Sequence, residues 1–100
     1  SFMNEMKLVA EKTGTINWEK AVRGLVSDGR VGDSHLQVPG PDGKKGFGGS
    51  CFPKDINAFI TFTNSIGLDL KVLKGAWETN LNIRPEKDWE KLKGRAISDD

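Results

Sequence analysis

Gly46-Phe47-Gly48-Gly49-Ser50-Cys51-Phe52-Pro53-Lys54-Asp55 joins a glycine loop to a helix start and carries the only cysteine of the chain. Pro53 suits the first helical position, where its missing N–H costs nothing, and Ile56, Phe59 and Ile60 continue as an apolar face. Cys51 therefore falls at a helix N-terminus. Unpaired N–H groups and the helix dipole favour an anion there, and a thiol so placed is readily held as the reactive thiolate. Asp55 follows one turn on, along the same face. Gly46, Gly48 and Gly49 let a ligand approach the backbone closely. A nucleophile, a nearby carboxylate and an open loop point to covalent catalysis on a bound small molecule.

On either side of this stretch the periodicity is helical. Phe2, Met6 and Val9 recur at helical spacing, and Gly14 is a suitable stop. Asn17 caps a second helix over roughly 18–27, with Trp18, Val22, Leu25 and Val26 expected to face inward. Glycine, proline and charge then rise from Asp28 to Ser50. Val38-Pro39, Gly40-Pro41 and Asp42-Gly43 read as successive turns in a long functional connection. A third helix is expected over 53–66, stopping at Gly67, and a fourth over 69–82 with Leu70, Leu73, Trp77 and Leu81 on its apolar face. Pro85 interrupts, and a short helix with Trp89 and Leu92 follows. No alternating β-branched run, repeat or low-complexity tract occurs. The fold expected is all-α with one long loop.

One hundred residues bound the chain to one domain, and a hydrophobic content of 36% suffices for a modest core. A formal net charge of +1 without a basic patch argues against nucleic acid. No apolar run reaches membrane-spanning length, and the start does not read as a signal peptide. One cysteine and one histidine exclude an intramolecular disulfide and argue against a structural metal site. A cytoplasmic protein is expected.

Residues Gly46–Asp55 resemble the catalytic-cysteine signature of the UDP-glucose 6-dehydrogenase family, NAD-dependent enzymes that oxidise nucleotide sugars to uronic acids. Ser1-Phe2-Met3-Asn4-Glu5 with Leu8 and Ala10 resembles the end of the family's long central helix. Asp28-Gly29-Arg30-Val31-Gly32 resembles its D-x-R-I-G segment, and His35-Leu36 stands where the family has an aromatic-Leu pair. The likeness runs in order over roughly residues 1–82.

The resemblance implies roles residue by residue. Cys51 would attack the aldehyde formed by a first hydride transfer to NAD. The thiohemiacetal would lose a second hydride to give a thioester, which water hydrolyses. Asp55 would help position that water, besides complementing the helix dipole. Phe52, Pro53 and Lys54 would lie near NAD. Gly46, Phe47, Gly48 and Gly49 would wrap the nucleotide sugar, with Leu36 and Gln37 adding main-chain contacts. Arg30 would reach the neighbouring active site of a homodimer, a task suited to a planar, always-charged donor array. His35 would keep ring packing, and Asn4-Glu5 would be structural. Val38–Lys45 is longer than the common loop, so no family contact carries over there. Lys44-Lys45 reads either as a diphosphate neighbour or as an exposed turn.

By the same resemblance, residues 1–100 are a central dimerisation domain. The N-terminal NAD-binding Rossmann domain and the C-terminal nucleotide-binding domain lie outside it, since no Gly-x-Gly-x-x-Gly follows a strand and residues 94–100 do not resemble the latter's opening strand. The family's lysine and asparagine partners precede Ser1, so the chain alone is expected to be inactive. UDP-glucose is the expected substrate, with GDP-mannose and UDP-N-acetylmannosamine as alternatives. A helical dimerisation module and a relative that binds nucleotide without oxidising it are the readings from other classes.

Overall fold

Met3 and Ala10 lie seven residues apart on α1 (Phe2–Thr13), and they are the side chains this helix buries. The stripe expected from Phe2, Met6 and Val9 is displaced from that face: Phe2 is 64% exposed and Val9 50%, while Met6 is half-buried. Gly14 ends the helix in the left-handed region, φ 70°, and its N–H returns to the Ala10 carbonyl. A side chain would be strained there, as the C-terminal stop requires. The structure, a computed structural model, describes residues 1–91. Leu92 and residues 94–100, named in the sequence reading, lie outside the described residues.

Asn17 caps α2 (Trp18–Val26) as expected, its Oδ1 accepting from Lys20 N–H at 3.0 Å. The inward apolar face expected of α2 is corrected, because none of its residues is buried. Trp18, Val22 and Val26 are half-buried and Leu25 is 41% exposed. The Lys7 ammonium instead lies 5.1 Å from the centre of the Trp18 ring, a cation–π contact with α1.

The connection to α3 folds into turns closed by its own polar groups. Asp28 Oδ1 accepts from Arg30 N–H at 3.1 Å, and Asp42 Oδ1 accepts from Lys44 N–H at 3.0 Å. Gly40 N–H reaches the Lys44 carbonyl and Gly43 N–H the Gly40 carbonyl, both at 2.9 Å. The Val38–Pro39 peptide is cis.

Helix α3 (Cys51–Ser65) starts earlier than expected, so Pro53 is its third residue and not its first. The shift is harmless, because the third N–H of a helix also lacks an intrahelical acceptor. Leu70 precedes α4 (Lys71–Ile83), which ends one residue later than expected and runs into Pro85. Leu73, Trp77 and Leu81 are half-buried, as the spacing predicts. A short 3₁₀ segment, Asp88–Lys91, then buries Trp89. Helix α4 packs against both α1 and α3.

Among the described residues the architecture is all-α, with no strand. The apolar core is thin: Met3, Ala10, Val38 and Trp89 are its buried members. Polar Thr63, Asn80 and Arg84 are buried as well. Among the described residues no helix is long and apolar enough to cross a membrane.

Candidate active site

Cys51 is the first residue of α3 and is exposed. Ser50 precedes it as N-cap without a side-chain capping bond, so no Ser50 hydroxyl occupies the helix's first N–H groups. The Ser50 Oγ lies 3.9 Å from Cys51 Sγ. One turn on, Asp55 is exposed and its Oδ1 sits 3.5 Å from Lys54 Nζ, an ion pair in solvent. Thiol, carboxylate and ammonium thus share one exposed end of α3.

The glycine loop before Cys51 rests on α4 and the 3₁₀ segment. Asn80 has no exposed surface; its Oδ1 accepts from Phe47 N–H at 2.7 Å and its Nδ2 donates to the Phe47 carbonyl at 2.9 Å. Asn4 Oδ1 accepts from Gly46 N–H at 3.0 Å, and Asp88 Oδ2 from Gly49 N–H at 2.9 Å. The Phe47 ring meets Phe52 edge-on at 5.9 Å and Trp77 at 6.0 Å, and Trp77 meets Trp89 at 5.2 Å. Three loop N–H groups are therefore engaged by side chains, and a ligand reaching them competes with Asn4, Asn80 or Asp88.

Arg84 is the electrostatic centre beneath the loop. It is 2% exposed, and its Nε donates to Asp88 Oδ1 at 2.8 Å and its Nη2 to Asp42 Oδ2 at 2.6 Å. Desolvation pushes the Asp88 carboxyl up, but the Arg84 guanidinium and Gly49 N–H outweigh it and leave the group below the ordinary aspartate value. Arg84 and then Lys44 N–H pull the Asp42 carboxyl the same way. Glu86 adds a third carboxylate at 3.8 Å from Nε, and a buried guanidinium so partnered is satisfied and stays charged.

A cleft of about 410 Å³ opens against this loop. Gln37, Gly46, Phe47 and Phe52 line it, together with Asn4 and His35. His35 is exposed, with φ 63°, and borders the cleft, so the ring packing expected of it is not seen in this chain. Leu36 borders a second groove beside Trp18, which Gln37 shares. Cys51, Asp55, Gly48, Gly49, Pro53 and Lys54 follow at the loop end and on α3, outside the lining of the first cleft. Pro53 is buried, so of the three residues expected near a cofactor only Phe52 and Lys54 offer exposed side chains. The Arg30 side chain is 88% exposed and held loosely at 3.8 Å by Asp28. Lys45 pairs with Glu11 at 2.8 Å, which leaves Lys44 as the exposed lysine of that turn.

Asn80, Arg84, Asp88 and Asp42 went unread as site residues in the sequence. Asn80 lies in α4, Arg84 is its non-helical C-cap and Asp88 follows beyond Pro85, so no single helix face in the sequence gathers them.

The UDP-glucose/GDP-mannose dehydrogenase family, central domain, has a model that matches residues 1–82. UDP-glucose 6-dehydrogenase YwqF of Bacillus subtilis is 35% identical over 82 residues, which is 82% of this chain and 17% of that protein. UDP-glucose 6-dehydrogenase of Rickettsia typhi is 40% identical over 85 residues, 85% of this chain and 18% of that protein. UDP-glucose 6-dehydrogenase of Pseudomonas aeruginosa is 40% identical over 80 residues, 80% of this chain and 16% of that protein. The chain thus spans less than a quarter of the length of the curated relatives it matches, from 16% to 23%. No solved structure matches it. The match of the central-domain model over four-fifths of the chain, with relatives 35% to 40% identical, shows that the chain belongs to the UDP-glucose/GDP-mannose dehydrogenase family.

Proposed function

We propose that this chain is the part of an NAD-dependent dehydrogenase that supplies the nucleophile and the sugar-binding loop for oxidising UDP-glucose to UDP-glucuronate. The observation that carries the reading is Cys51: exposed, first in α3, and directly after the loop that borders the cleft. Relatives named UDP-glucose 6-dehydrogenase support UDP-glucose over GDP-mannose or UDP-N-acetylmannosamine. Rossmann-type NAD-binding and nucleotide-binding domains would flank residues 1–100 in the whole protein.

Phe52 and Lys54 fit a dinucleotide, since an exposed ring suits a flat heterocycle and an exposed ammonium suits phosphate. NAD, when bound, accepts the hydrides of both oxidations. Cys51 Sγ adds to the aldehyde carbon of the half-oxidised sugar and holds it covalently. The thiohemiacetal so formed gives up the second hydride and a proton to become a thioester, whose hydrolysis releases the acid and restores the thiol. Asp55, one turn along, orients the attacking water. Gly46, Phe47 and Gln37 would form the walls for the nucleotide sugar, with Gly48 and Gly49 at the loop end and Leu36 in the groove that shares Gln37.

A dimerisation role belongs to the same reading. Phe2, Phe62 and Ile66 are each more than half exposed on their helices, apolar surface suited to a second copy. Arg30, exposed on its turn, would then reach the partner's site.

The test uses the full-length protein with and without Cys51→Ala, incubated with UDP-glucose and NAD. Two NADH per sugar from the wild type, with no uronic acid from the variant, sustains the reading. One NADH per sugar, unchanged by the substitution, makes Cys51 structural and overturns it.

A further inference from the structure

Loop residues rich in glycine have wide backbone freedom, so something must select the one conformation in which Cys51 faces a substrate. The selecting groups lie below the loop. Asn80 reads both the N–H and the carbonyl of Phe47, at 2.7 and 2.9 Å, from a position with no solvent exposure. Asp88 takes Gly49 N–H at 2.9 Å and is itself oriented by Arg84 at 2.8 Å. The approach is close: a Cβ at Gly46 would collide with Asn80 Oδ1, and one at Gly48 with the Asp88 carboxylate and Arg84.

We infer that Asn80, with the Arg84–Asp88 pair, is a positioning residue for catalysis. These groups set the Gly46–Gly49 backbone and, through it, the presentation of Cys51 Sγ. None of them takes part in the bond changes. Gly46 and Gly48 are glycines because the clamp lies against them, which leaves Gly49, with nothing within 4 Å of its Cβ direction, as the open approach for a ligand. The inference rests on Cys51 being the nucleophile, and a misplacement of about 1 Å at such a centre costs on the order of 100-fold in rate.

Asn80→Asp gives a test that a merely structural role would not satisfy. A protonated carboxyl copies the amide, one oxygen accepting from Phe47 N–H and the O–H donating to the Phe47 carbonyl. The carboxylate cannot donate, and burial holds the acid form to higher pH. In the full-length protein, Asn80→Ala is expected to lower kcat with UDP-glucose and NAD by roughly 10- to 100-fold, with a smaller change in KM. Asn80→Asp is expected to approach wild-type kcat in acid and lose it as pH rises, a limb that wild type lacks. Circular dichroism at each pH confirms that the helices persist.

An Asn80→Asp profile that follows wild type overturns the inference. So does a folded Asn80→Ala whose kcat stays within about twofold, since a lost clamp should cost far more. If Asn80→Ala does not fold, the Asn80→Asp pH profile alone decides. Should the wild type form no NADH from UDP-glucose, the functional reading fails separately. The alkylation rate of Cys51 by iodoacetamide, mapped by mass spectrometry, then judges the clamp: a rate altered by Asn80→Asp with a pH dependence absent in wild type sustains it, and an unaltered rate removes it.

Discussion

The side chain of Asn80 pairs with Phe47 as a second backbone would, accepting its N–H at 2.7 Å and donating to its carbonyl at 2.9 Å across 33 residues of sequence. An amide carries both an acceptor and a donor in the spacing a peptide unit needs, and keeps both at any pH. A loop too irregular to satisfy its own polar groups thereby gains a fixed shape next to the thiol.

Asn80→Ala should lower the unfolding free energy by about 1–3 kcal/mol, because a loop N–H and carbonyl lose their partners out of water. Urea denaturation measures it. Asn82→Ala, on an exposed position of the same helix, serves as control and should stay within about 0.5 kcal/mol.

Alanine in place of glycine should have opposite signs at different sites. Gly46 has φ 73° and faces Asn80, so Gly46→Ala combines left-handed strain of about 1–2 kcal/mol with a collision. Gly75 lies inside α4 with nothing within 4 Å of its Cβ direction, so Gly75→Ala should stabilise by about 0.5–1 kcal/mol. Thermal melts of the two variants should move in opposite directions.

Acid should weaken the fold through carboxylates whose folded values are depressed. Asp88 and Asp42 both titrate below the ordinary 3.8, so unfolded chains take up protons first as pH falls. Stability is then fully present above that value and lost as pH falls through the folded values. The denaturation midpoint should drop in that window, and less steeply in Asp88→Asn. Asp69, bridging Lys71 and Lys74 at 2.7 Å each, is pulled down to about 2, a midpoint that carboxyl NMR can read directly.

Trp89→Ala should be among the most damaging core substitutions. The residue is 3% exposed, and its ring lies 5.2 Å from that of Trp77 at a tilt of 53°, while Trp77 in turn meets Phe47. A loss of about 3–5 kcal/mol is expected for removing a buried tryptophan, and calorimetry of the variant measures it. Trp18→Ala, on a half-exposed ring beside Lys7, should cost much less.

Local chemistry determined the helices and the placement of the thiol. Gly14, Asn17, Gly67 and Pro85 act on their own few residues of backbone, so their effects were readable one position at a time. The same holds for Cys51 between a glycine loop and a helix. Which faces turn inward was decided only by packing. Phe2 and Val9 obey helical spacing as well as Met3 and Ala10 do, but α4 lies against one side of α1 alone. The clamp is the other tertiary result. Nothing local distinguishes Asn80, Arg84 and Asp88 from surface residues of a helix end, because a polar side chain becomes a buried partner only when distant backbone arrives unsatisfied. Here the arriving backbone is the loop from Gly46 to Gly49, brought 33 to 39 residues along the chain to meet them.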